Sequence, residues 1–560
     1  MSTSQQADAL VADALDASER GDLAAAAAAA RRLVEVDDHP FGHRLLGHLA
    51  YVADDLHESR RRYEAAFRGF RDRGDLRSAA RAAMELAELH EESFCNHAAA
   101  QGWLERAKRL LDSVGPCVEW GYLELAMLAC FRPDAVALEA SADRALAIAT
   151  EFGDPDLEVR ALADGGLALV TQGRLRDGFA RLDEAMAALT AGEVRDPGVA
   201  GRSFCALLTS CDRVGDVARA DEWVRVVNEA ALASMGGRPR ALQSHCLVVY
   251  GSVLATAGRW SEAEEVMLQV LTPPLSPAAG HLIESTCHLA GVRVEQGRVD
   301  EAASLLAPYE DHYEACEPLA RVHLRTGEPA LAAAIARRGL RELVGDALRG
   351  APLLARLIEA ELAVGDVDAA DEAARTLTEV AARVDSPALA AEAAIGTGRV
   401  RRAQGDLASA ISSFEAATRH LAGGAWPMLA GTARMELAEA LTAAGEDAAA
   451  VGEARAAAAI FERLGARPGS DRVGALLRRL GAAAPARSRA GQSRALASLS
   501  GREAQVLELI REGCSNADIA ARLYISPKTA EHHVSRVLSK LGVRSRAEAA
   551  VLAAALPTGP

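Results

Sequence analysis

Lysine is nearly absent from this chain: 560 residues contain only Lys108, Lys528 and Lys540. None of the three follows a glycine-rich loop of the G-x-x-x-x-G-K-[ST] kind, so a phosphate-cradling loop and nucleotide turnover are not expected. Aromatic residues amount to 4%, although half of all residues are hydrophobic. A core so poor in large side chains suits closely packed, alanine-rich helices, and no strand-like stretch stands out. The longest apolar runs, such as Leu23 to Ala30, are alanine-rich and too short for a membrane span. The N-terminus, MSTSQQADALVADAL, lacks the basic region of a signal peptide. The expectation is a cytoplasmic protein with no membrane partner.

Catalytic signatures are missing as well. There is no G-x-S-x-G elbow, no H-E-x-x-H and no early acidic cluster with βα alternation. No enzyme, no catalytic residue and no cofactor are expected. The nine cysteines, Cys95, Cys117, Cys130, Cys205, Cys211, Cys246, Cys287, Cys316 and Cys514, are odd in number and form no C-x-x-C pair. They read as reduced thiols, mostly small core residues. His39, His43 and His48 beside Asp37 and Asp38 suggest a metal site at first. Pro40 breaks the helix that would align the first two, so a polar connection between helices and no metal is the reading.

What the chain does contain is self-similarity. A glycine, a polar residue and an alanine five positions after the glycine recur as Gly215-Asp216…Ala220, Gly258-Arg259…Ala263, Gly297-Arg298…Ala302 and Gly327-Glu328…Ala332. The series continues as Gly365-Asp366…Ala370, Gly405-Asp406…Ala410 and Gly445-Glu446…Ala450. The steps between glycines are 43, 39, 30, 38, 40 and 40 residues. Gly173-Arg174 extends the series backwards with Gly178 in the alanine place, and Gly21-Asp22…Ala26 and Gly74-Asp75…Ala79 repeat it with looser spacing. The glycine ends one helix in the left-handed conformation, and the alanine lets the next helix pack closely on it. Helix pairs of this kind bury their apolar faces only by stacking into a solenoid. His245 to Gly258 reads as one such helix, and Pro273, Pro274 and Pro277 as a place where the stack could bend. The unit resembles a tetratricopeptide repeat, with a period longer than the usual length of about 34 residues.

The last sixty residues carry a different signal. Ser500 with Glu503, Ser515 with Asp518 and Ser545 with Glu548 are capping pairs that open helices. Ser526 followed by Pro527 opens another, and Gly513 and Gly542 end two of the four. Ala517, Ile519, Ala520 and Leu523 give the second helix its inner face, with Ile525 turning inward after it. Ala530, Val534, Val537, Leu538 and Leu541 do so for the third, and His533 packs near the core. Lys528, Glu531, His532, Ser535, Arg536, Ser539 and Lys540 then point outward, a pattern suited to a major groove. An ordinary small bundle with a solvated face has the same spacing.

The motif Leu499-Ser500-x-Arg502-Glu503, Gly513, Asn516-x-x-Ile519-Ala520, Leu523, Ser526-x-Lys528-Thr529, His533-Val534, Lys540-Leu541-Gly542-Val543 and Arg544-Ser545-Arg546-Ala547-Glu548-Ala549 resembles the LuxR-type (GerE-like) helix-turn-helix domain. Ala530 departs from it, where valine is more usual. The resemblance implies that the third helix reads promoter DNA and that the fourth contributes to a homodimer. It places Glu531, His532 and Ser535 at base edges and Lys528, Thr529, Arg536 and Lys540 near phosphates. The longer repeats are similar to those of large, MalT-like regulators, whose ATPase has no counterpart here.

Gly481 to Ser498 reads as a flexible basic linker. From Pro485 onward the net charge is +5, against −21 for the remainder. The acidic part should repel DNA, and the basic tail should attract it. The chain is therefore read as all-α: a tetratricopeptide-like α-solenoid over 1–480, a linker over 481–498 and a four-helix LuxR-type helix-turn-helix domain over 499–556. Its partners are double-stranded promoter DNA, an unknown protein or small-molecule effector on the repeats, and RNA polymerase. The alternative is a repeat scaffold for protein assembly with weak or vestigial DNA binding.

Overall fold

The structure is a computed structural model that describes residues 3–19, 22–53, 55–94, 96–131, 135–234, 244–272, 279–343, 346–482, 501–523, 525–541, 546, 549, 550 and 553. Among these residues all regular elements are helical. Twenty-five α-helices and two short 3-10 turns run from Thr3–Glu19 to Arg467–Arg479, followed by Gly501–Arg511, Asn516–Leu523 and Pro527–Leu541. The chain divides into two compact units, Met1–Ala450 and Val451–Pro560. Residues 483–498 of the expected linker, the proline cluster and Gly21 lie outside the described residues, while Gly481 ends the helix Arg467–Arg479 at φ +66°. No helix among them is long and apolar enough to cross a membrane.

The first unit is an α-solenoid of tetratricopeptide-like helix hairpins. Pro387–Ala403 followed by Leu407–His420 shows how one is made. Gly405, at φ +83°, ends the first helix, and Asp406 opens the second by accepting the amide of Ser409 at 3.1 Å. Ala410 then lies fully buried where the helices meet, as do Ala220, Ala263, Ala302, Ala332, Ala370 and Ala450 at the same offset. Arg174, Arg259 and Arg298 replace the aspartate without capping the helix; each reaches an acid three residues on, namely Asp177, Glu262 and Glu301. Helices such as Ala347–Val364 and Val367–Arg383, of 18 and 17 residues, explain a period near 40. The short step of 30 arises where Val299–Leu306 stops after 8 residues and Cys316–Thr326 spans 11. His245 to Gly258 forms the helix Ser244–Thr256 and its turn, as expected.

Nearer the N-terminus the glycine signal misleads. Gly74 joins the second helix of one hairpin, Leu56–Asp72, to the first of the next, Leu76–Glu92. The turns inside these hairpins carry no glycine. Asp55 and Asn96 cap the second helices instead, each accepting an amide at 3.1 Å, and the small Ser59 and Ala100 are fully buried.

The array also coils back on itself. A Cβ on Gly173 would stand 2.7 Å from Val384 Cγ2 and 2.9 Å from the Arg383 carbonyl, and one on Gly215 only 2.0 Å from Trp426 Nε1. Arg213 lies 3.4 Å from Asp346. In the N-terminal half, Arg44 hydrogen-bonds Glu85 at 2.8 Å, and both Arg44 and Arg81 lie 3.5 Å from Asp196. Arg160 and Arg202 together clamp Glu88 at 2.7 and 2.5 Å. Burial pushes the Asp196 carboxyl up, but Arg44 and Arg81 outweigh it and hold the group well below the usual carboxylate range.

The thiol expectation needs a correction. Cys205 and Cys246 form a disulfide between the helices Pro197–Val214 and Ser244–Thr256, with Cα atoms 5.5 Å apart. The physical reason is the repeat itself. The two cysteines are 41 positions apart, close to one repeat step, so stacking places them side by side. Cys117, Cys211, Cys287 and Cys316 are free and buried, as small core residues are. The three histidines do not converge: His39 caps a helix by accepting the Phe41 amide, His43 pairs with Asp38 at 2.8 Å, and His48 lines a cavity.

Two outcomes follow for stability. Gly405→Ala strains a left-handed turn in open space and should cost about 1 kcal/mol, whereas Gly215→Ala must also displace Trp426 and should cost about 2–3 kcal/mol more. Thermal denaturation of both variants checks the order; equal losses would show that the contact between coils carries no energy. Asp196→Asn keeps the hydrogen bond to the Gly198 amide but strands two arginines, and should cost about 3 kcal/mol near neutrality. A carboxyl held below its unfolded value contributes fully above that value and loses its contribution as pH falls through the folded one. The stability gap between the Asp196→Asn variant and the unaltered protein, measured by denaturant unfolding, should therefore be constant above about pH 4 and close at lower pH.

Candidate nucleic-acid interface

In the second unit a small core is assembled from three helices and part of a fourth. Val506, Leu507, Leu509 and Ile510 on Gly501–Arg511 pack with Ile519 and Ala520 on Asn516–Leu523. Ala530, Val534, Val537 and Leu541 on Pro527–Leu541 complete them, joined by Ala549 and Ala553. Leu523, Ile525 and Leu538 lie against this core from its edge. Ala517 does not belong to it. It is exposed, because two residues before Ile519 is about 200° around the helix.

The local chemistry explains the turns. Gly513 ends the first helix at φ +83°. Ser515 and Asp518 cap the second reciprocally: the Asp518 amide donates to Ser515 Oγ at 3.2 Å, and the Ser515 amide donates to Asp518 Oδ2 at 2.8 Å. The third helix begins at Pro527, with the Thr529 amide donating to Ser526 Oγ at 3.1 Å. Ser500, Gly542, Ser545 and Glu548 lie outside the described residues.

The outward face of the third helix is where the sequence pattern places it. Lys528, Thr529, Glu531, His532, Ser535 and Arg536 are all exposed. They alternate with fully buried Ala530 and Val537, so the register of the helix is fixed by its core side. Among the described residues nothing pairs with Lys528 or Arg536. The arginines of the first two helices are engaged instead, Arg511 by Glu508 and Arg522 by Glu512. Thr529 differs from the other five, since its hydroxyl hydrogen-bonds Ser526 at 2.7 Å. Lys540 falls within the third helix, and its side chain and that of Ser539 lie outside the described ones. His533 is half-buried, and its Nδ1 is buried without a partner.

Two arginines of the motif tie the second helix to its neighbours. Arg502 Nη2 donates to the Leu523 carbonyl at the end of the second helix. Arg546 Nη1 donates to Asn516 Oδ1 at 3.1 Å and ties the fourth helix to the start of the second. Their presence in the motif was visible in the sequence, but no spacing argument reveals which carbonyl a guanidinium will reach.

The family described as "Bacterial regulatory proteins, luxR family" (GerE) matches residues 497–553. The segment is 45% identical over 56 residues to the putative HTH-type transcriptional regulator Mb0914c of Mycobacterium bovis, a match covering 10% of this chain and 6% of that one. It is 43% identical over 61 residues to the DNA-binding transcriptional activator DevR/DosR of Mycobacterium tuberculosis, covering 11% and 28%. The chain thus spans only a small part of the curated relatives it matches. Among solved structures, the APC/C hetero-tetramer Cut9-Hcn1 aligns with 85% of this chain and 96% of its own at 13% identity and a TM-score of 0.44.

Val537→Asp tests whether the face depends on this core. Val537 is fully buried, and an unpaired carboxylate there should cost about 4 kcal/mol or more, comparable to the whole stability of a small domain. The second unit should lose its cooperative unfolding transition while the first keeps its own. A retained transition would show that the core tolerates the charge. Residues 497–553 carry a LuxR-type helix-turn-helix domain, whose third helix presents two cations without partners among the described residues.

Proposed function

We propose that this chain is a DNA-binding transcriptional regulator whose repeats respond to an effector and whose C-terminal domain binds promoter DNA. The observation that carries the reading is the exposed face of Pro527–Leu541, whose Lys528 and Arg536 have no partner among the described residues, on a domain that matches the LuxR family. Phosphate contacts set affinity and register, while base-edge contacts set sequence choice. Lys528, Thr529, Arg536 and Lys540 take the first role and Glu531, His532 and Ser535 the second. His532 and Ser535 can each donate to or accept from a base edge, and Glu531 can accept from cytosine N4. Domain limits of 1–480, 481–498 and 499–556, a homodimer formed through the fourth helix, a cytoplasmic location and contact with RNA polymerase complete the proposal.

The test is a binding series on a duplex selected from genomic fragments and on random duplex, at two salt concentrations. Arg536→Ala should weaken both alike and lower the salt slope by about one counterion. His532→Ala and Ser535→Ala should each cost about 1–3 kcal/mol on the selected duplex and little on random DNA. An unchanged specificity ratio for both would show that another element reads the bases. No specific shift for the unaltered protein would favour an assembly scaffold instead.

A further inference from the structure

One disulfide joins two neighbouring repeats whose packing does not rest on it. Cys205 on Pro197–Val214 and Cys246 on Ser244–Thr256 have Cα atoms 5.5 Å apart, within the span that a disulfide bridges without moving the backbone. Both helices are also held by apolar burial. Phe204, Leu207 and Leu208 on the first and Val249 and Val253 on the second belong to one buried cluster. Small domains with too little core depend on disulfides, whereas these helices keep that cluster whether or not the sulfurs are bonded. Both redox states are therefore compatible with the fold.

The bond lies where one core ends. The cluster that includes Tyr63 reaches Val253, and Leu254, the next residue, belongs to a separate cluster with Ala263, Met267 and Leu289. The helix Ser244–Thr256 thus divides its side chains between two cores, and the disulfide fastens it to the first. The two cysteines differ in access: Cys205 is half-buried, while Cys246 is 1% exposed. A small thiol or disulfide therefore reaches Cys205 more readily. Cys287 follows Cys246 by another 41 residues, but it is free and buried, as is Cys211 on the helix of Cys205. Burial pushes both of these thiols up, which keeps them protonated and poor competitors for the pair.

We propose that Cys205 and Cys246 are a reversible redox pair, whose disulfide braces the helix Ser244–Thr256 against Pro197–Val214 and is exchanged with low-molecular-weight thiols and disulfides. In oxidation the Cys205 thiolate attacks a small disulfide RSSR and expels RS⁻, which leaves a mixed disulfide on Cys205. The Cys246 thiolate then attacks the Cys205 sulfur and expels a second RS⁻. The two thiol protons end on the two expelled thiolates, so two protein thiols and RSSR give the protein disulfide and two RSH. Reduction is the reverse. The pair goes beyond the regulatory reading and does not depend on it.

The experiment uses the full chain, reduced with dithiothreitol, freed of it and equilibrated in glutathione buffers of rising disulfide share. Alkylation of free thiols with peptide mass spectrometry reads the bonded fraction, and hydrogen exchange reads the helix Ser244–Thr256. The bonded fraction should rise with the disulfide share and return along the same curve when the share is lowered. Bonding should slow amide exchange in Ser244–Thr256 at least about tenfold and leave Pro387–Ala403 unchanged. Cys205→Ala should hold exchange at the reduced level in every buffer, and Cys287→Ala should keep the response; circular dichroism shows whether each variant folds. The unaltered chain decides even where a variant does not fold. Thiols that stay unpaired at every ratio overturn the proposal. So does a bond that reduced glutathione opens only in denaturant, since that is a permanent structural link. A reversible bond with unchanged exchange in Ser244–Thr256 overturns the brace.

Discussion

The array depends on one close approach, that of the start of a hairpin's second helix to its first. In most hairpins a left-handed glycine turns the chain within two residues, and a side chain no larger than alanine then sits at the point of contact. The hairpin Pro155–Thr171 with Leu175–Thr190 shows the limit of this constraint. There Gly178 replaces the alanine, and a Cβ on it would lie 2.8 Å from the Gly166 carbonyl, while a Cβ on Gly166 would lie 2.8 Å from the Gly178 carbonyl. What reads in the sequence as a degenerate repeat is a tighter crossing in which backbone meets backbone. Alanine-rich composition and the shortage of aromatics follow from the same constraint, because large residues would hold the helices apart.

Close-packed small residues bring helices together but tolerate sliding, and a coil of hairpins needs its register fixed. Buried charges supply that. Arg160 and Arg202 come from two different helices and close on Glu88 of a third. Arg399 and Arg402 do the same to Glu436, which is 1% exposed, from a single neighbouring helix. Such clusters add little net stability, since desolvation offsets most of the attraction. A shift of one helix by a turn would strand a charge in the interior, so the cost of wrong registers is high. The network thus acts mainly against alternatives.

How much of this was legible in the sequence depends on whether the partners are near in the chain. The glycine turn and its buried alanine are five residues apart, and they were read correctly from Gly173 onward. The hairpins around Asp55 and Asn96 were not, because an ordinary residue with a capping side chain replaces the glycine there. The cysteines looked scattered although Cys205, Cys246 and Cys287 are spaced by 41 residues, which is the array's own period. The thiols thus follow the same repeat spacing as the glycines. The charge network joins residues such as Arg44 and Asp196 across several repeats, and no local pattern announces such a pair. In the C-terminal domain the helical period was enough to assign every described outward residue of the third helix. It failed for Ala517, where an eight-residue helix gives too few positions to fix the buried side.

Charge placement in that domain carries the final step. Its first two helices keep their cations close to home: Arg511 faces Glu508 three residues earlier, and Arg522 reaches back to Glu512. Exposed pairs of this kind contribute well under about 1 kcal/mol, so stability is not their main consequence. They neutralise two cations on the flank of the domain, while Lys528 and Arg536 on the third helix have no acid partner among the described residues. Glu531 lies between these two in sequence and is exposed with them. A carboxylate there is repelled by a phosphate backbone unless it is held over a base that donates to it. On the proposed reading, Glu531 lowers non-specific attraction to phosphates on the same helix whose cations supply it, which favours the ratio of specific to non-specific binding over affinity.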